Sequence, residues 1–155
     1  LMALTKTETF DSLLMRAVFD LSRAIPVRRG KADTTAIRRA SEALKTGHIL
    51  TVFPEGTRSG DGRLRRGHPG VALLAVRTGA PLLPMASRGG ECFWRNLPRF
   101  KRTDFHLSVG KPFNVHAESK VTHEMRQQIA DEIMYQIAAL LPPAYRGLAS
   151  LRLRA

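Results

Sequence analysis

Short apolar runs alternate with stretches of helical period along this chain, and that alternation restricts the fold more than any other feature. IPV at 25–27, HILTVF at 48–53, PLLPMA at 81–86 and FHLSVG at 105–110 have the length of buried strands. Between them, apolar residues recur three and four positions apart, the spacing of one helical face. Leu14, Val18 and Leu21 do so within 11–24, and Ile37, Ala40 and Leu44 do so after Asp33. GVALLAVRTG reads as a helix stopped by Gly79, and a long helix after Thr122 turns Met125, Ile129, Ile133, Ile137 and Leu140 inward. Asp33 and Thr122 are residue types that cap a helix by accepting from exposed first-turn amides. Gly47 suits a C-terminal stop, and Pro142 with Pro143 ends the last helix. Helices alternating with short strands predict an α/β fold with a mainly parallel or mixed sheet flanked by helices. With 155 residues and no repeat or linker, a single domain spans 1–155 in this reading.

In such sheets ligands sit beyond the carboxyl ends of the strands. The loop Pro54–Ser59, Pro-Glu-Gly-Thr-Arg-Ser, leaves the strand at 48–53 at that place. It carries more chemistry than a turn requires. Pro54 stiffens the exit, and Gly56 permits backbone angles and close ligand approach that a side chain would block. Arg58 carries a fork of donors matched to phosphate or carboxylate oxygens. Thr57 and Ser59 add hydroxyls, and Glu55 either orients Arg58 or accepts from a substrate hydroxyl. The same residues also suit a capped turn closed by a Glu–Arg pair, so physics alone leaves two readings of the loop.

Charge favours an anionic partner. Lys and Arg total 25 against 13 Asp and Glu, a formal charge of +12. That surplus fits phosphate, either in nucleic acid or at an anionic membrane surface, and also fits a plain soluble domain with a basic face. Arg63, Arg65 and Arg66 follow an Asp61-Gly62 turn, and Arg28, Arg29 and Lys31 follow the strand at 25–27. No run approaches the ~18 apolar residues of a spanning helix. Aromatics are 6% and not interleaved with the basic residues, which weakens a single-strand nucleic-acid reading.

Sharper motifs are absent. The chain has no phosphate-binding G-x-x-x-x-G-K-[ST] loop and no G-x-G-x-x-G fingerprint, and Ser59 stands outside any G-x-S-x-G elbow. No two histidines have the close spacing of a helical zinc motif. The lone cysteine, Cys92, precludes an internal disulfide and is followed by Phe93 and Trp94, which predicts a buried bystander in a reducing compartment.

VFPEGTRS at 52–59 resembles the phosphate-binding block of the glycerolipid acyltransferases, the lysophosphatidate (1-acylglycerol-3-phosphate) acyltransferase family. LTKTETF at 4–10 resembles the Lys-x-Glu-x-Phe segment that follows the family's catalytic block. IPVRRG at 25–30 resembles a block that usually ends in Val-Asp-Arg, so Arg29 takes the place of the family arginine while Arg28 replaces Asp. GAPLLPMASRG at 79–89 resembles a later block, with Pro84 at its proline, and LPPAYRG at 141–147 is similar to the ending of bacterial members. The resemblance implies a glycerophosphate acyltransferase-like fold. It also implies acyl transfer from acyl-CoA or acyl carrier protein to a lysophospholipid hydroxyl, at the cytoplasmic side of an anionic membrane, with no metal or cofactor. Arg29, Glu55, Gly56, Thr57, Arg58, Ser59 and Pro84 would bind the acceptor.

The family's catalytic His-x-x-x-x-Asp block is missing. Five residues after His48, His68, His106, His116 and His123 stand Phe53, Leu73, Lys111, Val121 and Gln128. By the family's order the block belongs upstream of Leu1. The expectation is therefore an N-terminally incomplete domain, inactive alone, that holds the acceptor's phosphate for a base supplied from upstream. Two rivals remain at this point. One is a phospholipid-binding module without chemistry; the other is a nucleic-acid binder driven by charge.

Overall fold

Ile25 is buried, as expected of a strand that a helix covers. In the computed structural model, which describes residues 2–6, 25–27, 34–57, 59–116 and 121–147, three parallel strands form one sheet. β1 (Met2–Lys6) lies between β2 (Ile25–Val27) and β3 (Leu50–Thr51). Leu4 pairs with Ile25 and Lys6 with Val27, while Met2 pairs with Leu50 and Ala3 with Thr51. Parallel neighbours require a crossover. The one from β2 to β3 passes over β1 and contains α1 (Thr34–Lys45). Its inward face is alanine-rich: Ala36 and Ala40 pack with Ile25, Leu74, Leu44, Leu50 and Val52.

Helix ends follow their local chemistry. After α1, Gly47 takes φ +80 and donates its N–H to Leu44 O at 3.1 Å, while His48 N–H reaches Ala43 O at 3.0 Å. That pair of bonds is a Schellman stop, which glycine adopts without a Cβ penalty. Helix α2 (Pro69–Thr78) starts on Pro69 and ends at Gly79, φ +61, whose N–H bonds Ala75 O. Helix α4 (His123–Ala139) is capped by Thr122 Oγ1, which accepts the Met125 N–H at 3.2 Å. Pro142 and Pro143 lie just beyond it, and Pro143–Tyr145 form a 3-10 turn. The helix expected over 11–24 and the Asp33 cap lie outside the described residues.

The strand runs are shorter and less buried than expected. Among the described residues HILTVF pairs through Leu50 and Thr51, Ile49 O also accepting the Met2 N–H at 2.8 Å; Ile49 and Phe53 are exposed, and Pro54 has no N–H with which to extend the ladder. PLLPMA and FHLSVG contribute β4 (Met85–Arg88) and β5 (His106–Val109), which pair antiparallel rather than in a parallel layer. The register opposes Met85 to Val109 and Ser87 to Leu107. Since side chains alternate faces, Ala86 points into the core while Met85, Leu107 and Val109 stay exposed. These are half-buried strands, not the fully buried ones expected.

The connection between β4 and β5 carries α3 (Phe93–Asn96), flanked by 3-10 turns at Gly90–Cys92 and Leu97–Arg99. Cys92 is only half-buried, with Arg95 Nη2 donating to its Sγ at 3.1 Å, and Phe93 and Trp94 are exposed. The buried-bystander expectation is corrected accordingly. Among the described residues three apolar clusters form the core, and Val52 and Ile137 each belong to the margins of two of them. Helix α2 packs against both α1 and α4. Ala72 on α2 and Ala130 on α4 are fully buried in one cluster with Val71 and Ile133. Within α4 the buried set is Ala130, Ile133, Met134 and Ala138, whereas Met125, expected inward, is exposed.

Candidate functional site

The parallel order puts the carboxyl ends of β2 and β3 at the same edge of the sheet. From β3 the chain enters the loop 54–68, which returns to the start of α2. Three backbone bonds set its course. Gly56 N–H donates to Phe53 O at 3.0 Å, His68 N–H donates to Pro54 O at 2.8 Å, and Leu64 N–H donates to Tyr145 O at 2.9 Å. The Asp61-Gly62 turn forms as its sequence requires, with Asp61 Oδ1 accepting the Arg63 N–H at 3.1 Å and Gly62 at φ +72.

Gly56 adopts φ +62, and a Cβ placed there would lie 2.7 Å from His68 Cδ2 and 3.0 Å from its Nε2. The exposed His68 ring therefore lies over the glycine. Glu55 is half-buried and accepts the Arg65 backbone N–H through Oε2 at 2.9 Å. Burial pushes its carboxyl above the usual carboxylate range, and nearby Asp61 adds to the rise. The Arg65 amide bond and the Arg65 charge oppose it. The Glu55 side chain thus closes the loop onto Arg65, ten positions ahead, a partner that no local spacing signals.

Glu55, Gly56, Thr57 and Ser59 are brought together in one loop, with Thr57 exposed and Ser59 half-buried. Arg29 and Arg58 lie outside the described residues, Arg29 two positions beyond the end of β2. Pro84 packs by β5: it is buried, it accepts the Gly110 N–H at 2.9 Å, and its ring leaves no room for a Cβ on Gly110. Of the nearby arginines, Arg66 is engaged by Asp131 of α4 at 3.1 Å, which raises its pKa, and Arg63 and Arg65 are exposed. Gln127 Nε2 donates to Gly67 O at 3.1 Å and so fixes the loop's return to α2.

Two tethers were not legible in the sequence. A Cβ on Gly147 would collide with the Leu64 carbonyl, so the chain's 142–147 segment lies directly against the loop. Tyr145 OH donates to Glu91 Oε1 at 2.8 Å, and both flank Gly62. The local backbone amides, and then that bond, hold the Glu91 carboxyl below its usual range. The LPPAYRG ending at 141–147 offered a hint only through its similarity to family members.

The arrangement suits an anion. Helix α2 opens at the loop with no side-chain cap on its first turn. Its N-terminal amides carry partial positive charge toward whatever occupies that space. Gly56 adjoins it beneath the His68 ring. A groove of about 500 Å³ between Phe113–His116 and α4 contains none of the predicted site residues. Among the described residues no three His, Cys, Asp or Glu side chains gather as a metal site.

The family model described as Acyltransferase matches residues 1–88, more than half of the chain, and the chain belongs to that family. Its relatives carry one name. The chloroplastic 1-acyl-sn-glycerol-3-phosphate acyltransferase BAT2 of Brassica napus is 31% identical over 88 residues, 56% of this chain and 26% of that protein. The 1-acyl-sn-glycerol-3-phosphate acyltransferase of Bacillus subtilis is 29% identical over 138 residues, 83% of this chain and 66% of that protein. Among solved structures, the 1-acyl-sn-glycerophosphate acyltransferase PlsC of Thermotoga maritima superposes with a TM-score of 0.57 at 22% identity. It matches 90% of this chain and 54% of its own, and shares the fold. The chain thus spans only part of the length of the proteins it matches.

Proposed function

We propose that the protein transfers an acyl group from a thioester donor, acyl-CoA or acyl carrier protein, to the free hydroxyl of 1-acylglycerol 3-phosphate. The observation that carries this reading is the Glu55–Ser59 loop, set between the carboxyl end of β3 and the uncapped start of α2, inside the segment matched by the family. In this reading residues 1–155 form one acyltransferase domain, incomplete at its N-terminus. Arg29 and Arg58 hold the acceptor's phosphate, with Thr57 and Ser59 donating hydroxyls. Gly56 lets the phosphate approach the backbone once the exposed His68 ring turns aside. Glu55 keeps the loop in shape by accepting the Arg65 amide, and Pro84 is assigned to the acceptor site on its place in the family block alone.

A histidine base from a His-x-x-x-x-Asp pair outside this chain takes the acceptor's hydroxyl proton. The oxygen attacks the thioester carbon, the C–S bond breaks, and the departing thiolate receives the proton. That balance calls for no metal and no cofactor. Holding the hydroxyl in reach of the base can supply up to about 7–11 kcal/mol of the barrier. The reaction belongs at the cytoplasmic face of an anionic membrane, where the acceptor resides; no nucleic-acid partner is invoked.

The test is kinetic, with protein from the complete reading frame. Arg58→Ala is expected to raise the acceptor's KM and lower kcat/KM by about 10–100-fold, the worth of one charge-assisted hydrogen bond, with smaller effects on the donor. An unchanged acceptor KM would remove Arg58 from the site. Lysophosphatidate binding without any turnover would instead support a non-catalytic phospholipid-binding module.

A further inference from the structure

The β4–β5 connection displays large apolar side chains to solvent. Trp94 is 74% exposed and Phe100 99%, with Phe93, Leu97 and Phe105 at 44–62%. This is an ordered structure. Lys101 N–H bonds Asn96 O at 3.1 Å, and Asn96 Nδ2 donates to Thr103 Oγ1 at 3.0 Å and to Arg102 O at 3.3 Å. The Phe93 and Trp94 rings meet edge to face at 5.2 Å. At its base Gly89 lies against the Asp104 backbone, which any Cβ would strike.

Basic residues surround the apolar ones. Arg95, Arg99, Lys101 and Arg102 are exposed along the same connection, and Arg88 stands at its root. The acidic residues there are already engaged: Asp104 by Arg102 at 3.0 Å, Glu91 by Tyr145. Through Glu91 and Tyr145 the connection abuts Gly62 of the candidate site loop. Exposed Trp and Phe rimmed by cations match the boundary layer of an anionic bilayer, where rings settle among headgroups and cations meet lipid phosphates. An acidic protein partner fits less well. A side chain as exposed as Phe100 has no neighbours with which to form a pocket for one.

We propose that the β4–β5 connection, with Trp94, Leu97 and Phe100 at its apolar surface and Arg95, Arg99 and Lys101 around them, docks the protein onto an anionic lipid surface beside the candidate site. The proposal extends the acyl-transfer reading, since the same bilayer would hold the acceptor. It is tested with no acyl donor present, so it stands or falls separately from turnover.

Trp94 is the chain's one tryptophan and its own reporter. In protein from the complete reading frame, its emission is taken as the difference between wild type and Trp94→Phe. With vesicles of phosphatidylglycerol and phosphatidylcholine, that emission is expected to shift to the blue and to be quenched by brominated acyl chains. Replacing Arg95, Arg99 and Lys101 by Gln should raise the lipid concentration for half-quenching about a hundredfold, from about fivefold per lost charge. Phe100→Ala should raise it roughly tenfold by removing one inserted ring. Circular dichroism checks that each variant is folded. Unchanged Trp94 emission in protein that co-sediments with vesicles would overturn the proposal. So would a blue shift produced by acyl carrier protein alone.

Discussion

Gly56 leaves no room for a side chain without movement of its neighbours. Its left-handed φ is costly for other residues, by about 1–2 kcal/mol, and its open face is covered by His68. Gly56→Ala is expected to lower stability by roughly 1–3 kcal/mol in urea titrations, and to weaken acceptor binding. A neutral outcome would mean that the backbone leaves its left-handed φ and that His68 moves away as well. Glu55 makes a separate, pH-dependent prediction. Burial raises its pKa in the folded protein above the unfolded value. Between those two values the folded state holds more protons, so stability falls as pH rises through that window and levels off above it. Glu55→Gln keeps an oxygen for the Arg65 amide and should abolish this slope, with stability at neutral pH within about 1 kcal/mol of wild type. Denaturation midpoints across mildly acidic to neutral pH test it; a slope retained in the variant would assign it to another group. The chemistry of Glu55 and Gly56 was legible from composition and spacing. Their partners, Arg65 and His68, were not, because the loop's return path depends on bonds to Pro54 and Tyr145.

Helix boundaries were the most legible elements, since each rests on a local device: the Schellman turn at Gly47, the left-handed Gly79, the Thr122 cap. Strands were less so. A short apolar run specifies that it will be buried somewhere, but not how many faces are covered or which neighbour it pairs with. PLLPMA and FHLSVG therefore gave a two-stranded antiparallel ladder with an exposed face. Core composition in the helices also differed from expectation. The innermost positions are alanines, because helices approach closely where side chains are small, and the larger residues lie at the margins of the contact. That close approach is testable. Ala130 is fully buried where α4 meets α2, and Ala130→Leu should cost about 1–3 kcal/mol by overpacking, read from the urea midpoint. Equal stability would reveal slack between the two helices.

Across the whole molecule, charge sets the partner class but not the partner. A formal charge of +12 attracts any polyanion, duplex DNA included. The two are separated by salt. Duplex affinity carried by phosphates alone falls steeply, whereas a surface that also inserts apolar side chains keeps part of its hold. At about 0.15 M salt, where screening lengths are near 8 Å, binding to anionic vesicles is expected to persist and duplex binding to vanish. Gel-shift and vesicle sedimentation under one buffer decide it, and retained duplex binding would revive the nucleic-acid reading. Eight consecutive residues, VFPEGTRS, made the family legible before any fold was in view. Nothing in them announced that the loop is held from the far end of the chain, at Tyr145 and Gly147. Ribosomes add residues in order, so Leu64 emerges well before its backbone partner at Tyr145 exists. At ~5–20 residues per second that interval lasts roughly 4–16 s. Throughout it the nascent chain carries every side chain of the 54–59 loop without one of the bonds that shape it. A premature stop codon just before Pro142 would make that unfinished state permanent.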